Sequence, residues 1–203
     1  MVKMFLTSSF IDVVEQFREF VKEDLNGKTV TFIPTASIPE EIDHYVYSAK
    51  EVFTNLGIVV EELDISTASL EEIKEKLEQN NFIYVSGGNT FYLLQELRRS
   101  GADKIIIKQV EQGKLYIGES AGTVVTSPNI NYINLIDDKE KAPDLDTFEG
   151  LNLINFYPVP HYNNEPFKKV VADLITQYDS NLNIVPFSNS EVIRVSQNSI
   201  DIS

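Results

Sequence analysis

The 203 residues carry a formal net charge of −14 at pH 7, and cysteine is absent. Disulfides, thiolate zinc sites and cysteine nucleophiles are therefore excluded. So acidic a surface repels phosphate backbones and anionic membranes, which argues against nucleic-acid and membrane partners. Hydrophobic residues make up 42% and charged residues 24%, a mix able to bury a core, and the length suits one domain over 1–203. The start, Met1-Val2-Lys3-Met4-Phe5-Leu6, is too short for a signal peptide, and no apolar run approaches a membrane span, so a cytoplasmic location is expected.

Residues 2–7 and 28–34 read as strands rich in β-branched and aromatic types. Between them Val13, Val14, Phe17, Phe20 and Val21 recur at helical spacing. Ile42, Tyr45, Val46, Ala49, Phe53 and Leu56 share a second helical face, closed by Gly57, and 58–63 is the next strand. Ser69 and Glu72 form a capping box for a helix over 69–79, followed by a buried strand at 82–85. Helices over 90–99 and 102–112 flank Gly101, and a strand follows at 114–118. Later come short strands near 154–160, 183–187 and 191–196, with a helix over 165–178. The strand–helix alternation predicts a three-layer α/β sandwich with a mostly parallel sheet. Ligands of such sheets sit at the carboxyl ends of the strands.

Two loops at those ends carry chemistry. Gly118-Glu119-Ser120-Ala121-Gly122 fits G-x-S-x-G, between a buried strand and a helix-compatible stretch. The sharp reversal strains the serine backbone and needs small residues on both sides. It lifts the Ser120 hydroxyl clear of the sheet, with the Ala121 amide and the following helix N-terminus beside a developing oxyanion. The second loop, Ser86-Gly87-Gly88-Asn89-Thr90, lets the Gly88 amide approach the same oxyanion. Without a P-loop lysine or a dinucleotide fingerprint, a phosphate cradle there is the weaker reading.

Serine attack at neutral pH needs a base, and the chain has two histidines. His44 falls inside a helix and reads as a surface residue. His161 follows the extended segment Phe156-Tyr157-Pro158-Val159-Pro160 and sits at a strand end.

Three motifs in order, Tyr84 to Phe91, Tyr116 to Gly122 and Pro160-His161-Tyr162, resemble the peptidase E family of serine peptidases, the aspartyl dipeptidases, with the cyanophycinases as relatives. The resemblance spans nearly the whole chain. It implies a flavodoxin-like, class I glutamine-amidotransferase-like sheet, Ser120 as nucleophile, His161 as base, and Gly88 and Ala121 amides as the oxyanion hole. It implies small peptide substrates, no cofactor and no metal, and leaves a homodimer open.

The chain departs from the family at the third catalytic position. The family's acid falls in a late turn, here Pro186-Phe187-Ser188-Asn189-Ser190-Glu191. Ungapped matching puts Asn189 there. Glu191, two residues on and on the same face of an extended chain, is the first choice to orient the imidazole. Asn189 is the alternative, and Asp137 and Asp138 are further candidates. No arginine that would hold an aspartate side chain is apparent, so an N-terminal Asp preference does not carry over directly. A non-catalytic binding module on the same fold is the rival to a hydrolase.

Overall fold

The computed structural model describes residues 2–196 and 199–203. Strand β1 (Lys3–Thr7) leads through a short 3-10 turn into α1 (Val14–Val21), and β2 (Thr29–Ile33) leads to α2 (His44–Asn55). There follow β3 (Val59–Glu62), α3 (Leu70–Gln79), β4 (Phe82–Val85), α4 (Thr90–Ser100), α5 (Ala102–Glu111) and β5 (Leu115–Glu119). Beyond β5 come the single turn α6 (Ala121–Val124), β6 (Tyr157–Val159), α7 (Lys168–Tyr178), β7 (Ile184–Pro186), β8 (Val192–Ser196) and β9 (Ser199–Ile202).

The main sheet runs β3-β2-β4-β5-β1-β8-β9. Strands β1 to β5 are parallel, whereas β8 runs antiparallel to β1 and β9 antiparallel to β8. β6 and β7 form a separate parallel pair.

Side-chain alternation along the central strands divides the core. Phe5, Phe82, Tyr84, Leu115 and Ile117 face α1 and α2, where they pack on Phe17, Val46 and Phe53. Met4, Leu6, Ile83, Val85 and Tyr116 face the other way, onto α3 to α7 through Ile73, Leu77, Leu93, Leu97, Ile106, Val124 and Leu174. These are helices on both faces of a mostly parallel sheet, the expected flavodoxin-like, class I glutamine-amidotransferase-like sandwich. Local sequence sets the helix ends: the Ser69 hydroxyl accepts from the Glu72 amide and the Asn89 side chain accepts from the Tyr92 amide. Gly101 ends α4 in the left-handed conformation.

β5 lies between β4 and β1, so the loops after these three strands converge at one edge of the sheet. This is the crevice where the connections change direction. Among the described residues no helix is long and apolar enough to cross a membrane.

Candidate active site

At the end of β5 the chain turns within one residue. Ser120 has φ 47° and ψ −105°, outside the regions open to ordinary L-residues. Such strain persists only where the surroundings over-determine it. A Cβ on Gly122 would stand 2.1 Å from the Val85 carbonyl oxygen, and one on Gly118 would stand 2.6 Å from the Gly122 oxygen. The Ser120 amide donates to the Thr7 carbonyl at 2.9 Å, and the Tyr116 hydroxyl donates to the Gly122 carbonyl at 2.6 Å. The helix after Ser120 is a single turn, so the dipole expected at its N-terminus adds little.

The half-buried hydroxyl of Ser120 lies 2.9 Å from His161 Nε2. On the far side of the ring, His161 Nδ1 lies 2.9 Å from Asn189 Oδ1. An amide oxygen only accepts, so Nδ1 carries the proton and Nε2 is free to receive one from Ser120. Burial lowers the imidazole's pKa below its usual 6.5, and the Asn189 bond offsets part of that, so the neutral base form is favoured.

The third position therefore differs from the first choice read in the sequence. The Glu191 carboxylate turns back to accept the Ser188 amide at 2.7 Å, which lowers its pKa, while Asn189 meets the imidazole. The segment is a turn and not a strand, so the two-residue spacing does not keep both side chains on one face.

Asp137 and Asp138 also lie away from the ring. Asp137 Oδ2 accepts the Thr90 amide at 2.9 Å at the start of α4, and the Asp138 carbonyl accepts Asn89 Nδ2 at 3.0 Å. Burial raises Asp137 to about 6. Both aspartates brace the 86–90 loop.

That loop packs on Ser120. A Cβ on Gly87 would meet Ser120 Cβ at 3.3 Å and the Tyr45 ring at 3.5 Å, so Tyr45 and Ser120 face one small space across this glycine. Gly88 has φ 133° and would place a Cβ 2.1 Å from the Ala36 oxygen; only glycine fits. Ala121 opens α6, where an amide has no intrahelical acceptor. His44 is exposed on α2 and takes no part.

Several supporting residues carried no sequence signal. Phe167 stacks on the His161 ring, with centroids 4.7 Å apart and planes at 22°. Asn164 Oδ1 accepts the Asn189 amide at 2.9 Å. Glu119 is buried below the serine, where it accepts the Phe10 amide at 2.8 Å and the Tyr84 hydroxyl; burial raises it to about 7. A serine beside a glycine turn announces itself by pattern, whereas a stacking ring 6 residues beyond His161 does not.

The model of peptidase family S51 matches residues 4–203. The chain belongs to peptidase family S51. This S51 chain is 56% identical over 193 residues to an uncharacterized peptidase of Listeria monocytogenes, covering 95% of this chain and 94% of that one. It is 36% identical to peptidase E of Salmonella arizonae over 152 residues, 74% of this chain and 63% of that one. A crystal structure described as a candidate peptidase E from Listeria monocytogenes EGD-e superposes with a TM-score of 0.96 at 53% identity, covering 100% of this chain and 98% of that one. The S51 chain is thus a peptidase with the fold its sequence implies.

Proposed function

We propose that this S51 peptidase hydrolyses short peptides through an acyl-enzyme on Ser120. The observation that carries the reading is the run Ser120–His161–Asn189, with 2.9 Å at each step. His161 Nε2 takes the Ser120 proton as Oγ attacks the peptide carbonyl, and the Gly88 and Ala121 amides face the oxyanion. The tetrahedral intermediate collapses as the imidazolium returns that proton to the leaving amine. Water then attacks the ester with the same base, releasing the acid and the free serine. Asn189 keeps the proton on Nδ1 throughout, without adding the charge an aspartate would.

Substrates with a neutral first residue fit better than those beginning with Asp. The arginines are engaged elsewhere: Arg18 with Glu15, Arg98 with Thr147 and the Glu149 carbonyl, Arg99 with Glu96, and Arg194 with Asp201. Burial, with smaller contributions from Glu40, Glu119, Asp43 and Asp137, raises the hydroxyl pKa of Tyr45, which lies across Gly87 from Ser120. A carboxylate side chain entering that space finds no guanidinium free to pair with it.

Fluorophosphonate labelling tests the mechanism. One adduct per chain at Ser120, absent from Ser120→Ala, is expected; folded protein that takes no label overturns it. A panel of Asp-, Glu- and neutral-headed dipeptides then ranks the substrates, and a preference for Asp would refute the charge argument.

A further inference from the structure

The nucleophile, base and amide come from three separated loops, yet all three are tied to the end of β1. The Thr7 carbonyl accepts the Ser120 amide and the Thr123 hydroxyl, each at 2.9 Å, and the Thr7 hydroxyl donates to the Gly118 carbonyl at 3.0 Å. One residue on, Ser8 is 2% exposed. Its hydroxyl accepts the His161 amide at 3.1 Å and donates to the Phe187 carbonyl at 3.2 Å. That carbonyl, two residues before Asn189, also accepts the Tyr162 amide at 3.1 Å.

We propose that Ser8 is a positioning residue, holding the His161 and Asn189 loops in register with the Ser120 turn; this rests on the acyl-enzyme reading above. Two features make a fixing point necessary. His161 sits at φ 64°, in the left-handed region that few non-glycine residues occupy. Its loop also lies outside the main sheet, beyond the two-stranded β6–β7 pair, so no ladder bonds in the main sheet fix it relative to β5. Ser8 supplies that tie with one hydroxyl, while the peptide before it anchors the serine. The hydroxyl touches backbone atoms of His161 and Phe187, so its action passes through the imidazole and not through substrate.

Ser8→Ala tests this directly. With the His161 amide and the Phe187 carbonyl no longer tied to the end of β1, kcat is expected to fall roughly 10- to 100-fold with KM within about twofold, the pattern of a misplaced catalytic group. Fluorophosphonate labelling per folded molecule should slow by a similar factor. The acid limb of kcat/KM should also move upward, because a loosened imidazole regains water and its pKa rises toward 6.5. Ser8→Cys, close in volume with a weaker hydrogen-bonding group, guards against loss of fold and should show the same changes in milder form. Folded Ser8→Ala or Ser8→Cys with parental kcat and an unmoved acid limb overturns the proposal. So does a loss that only tracks the folded fraction seen by circular dichroism. If the parent itself takes no label, it is the acyl-enzyme reading that fails, and the Ser8 variants are not needed to see it.

Discussion

The two halves of the site are held by different physics. The Ser120 half is built from the middle of the sheet: β5 is flanked by β4 and β1, and the turn after it is fixed chiefly by backbone pressing on backbone, with the Thr7, Tyr116 and Thr123 hydroxyls bonded across it. The His161 half lies on irregular chain around β6 and β7, and side chains hold it. Ser8 ties it to β1, Asn164 bonds the Asn189 amide, Glu191 caps Ser188 and Phe167 lies against the ring. Sterics of the first kind leave little room to adjust, because a close-packed interior feels a change of even one methyl group. Polar ties of the second kind can be cut one at a time. Damage to the first half should therefore be all or none, and damage to the second half graded.

The largest effect should come from the first half. Ser120→Ala is expected to cut turnover by about 10⁴- to 10⁶-fold, measured on the best dipeptide of the panel. Gly122→Ala should destabilise the fold by about 3 kcal/mol or more, because its methyl would fall on the Val85 carbonyl; urea unfolding reads this. A stable, active Gly122→Ala enzyme would break the contrast. In the second half, Asn189→Ala should lower kcat roughly 10- to 100-fold while the protein stays folded. Asn189→Asp should keep activity but raise the acid limb, since a carboxylate favours the charged imidazole.

The parent's own acid limb should lie below 6.5, because burial disfavours the protonated ring and activity appears as pH rises through its pKa. Glu119 gives a separate test of the buried floor beneath the serine. Its folded pKa is raised to about 7 from the usual 4.5. Unfolding therefore releases a proton in that window, and stability should fall as pH rises through it. Glu119→Gln should flatten that slope in thermal unfolding scans. The smallest effect is reserved for Glu191→Gln, which keeps an acceptor for Ser188 and should leave kcat within about twofold.

Much of this was legible before any coordinates, for a reason that follows the same division. Helices and central strands showed through periodicity, and Ser120 showed because its turn demands small residues at set offsets. His161 showed because only one histidine falls at a strand end. The partner of His161 did not show, since 189 and 191 differ only in how a tight turn aims two side chains. Ser8 lay hidden in Thr7-Ser8-Ser9, where nothing local tells a structural hydroxyl from a solvated one. β9 was missed as well: its four residues, with Ile200 and Ile202 exposed, carry too little periodicity to stand apart from loop.

The glycines around Ser120 have one more consequence. Gly88 and Gly122 are required by the Ala36 and Val85 carbonyls, which stay in place whether or not a hydroxyl stands between the loops. A descendant that lost its chemistry would be compelled to keep those residues to remain folded. Their presence in a related chain thus testifies to the architecture, and only the serine, imidazole and amide side chains bear on the proposed chemistry.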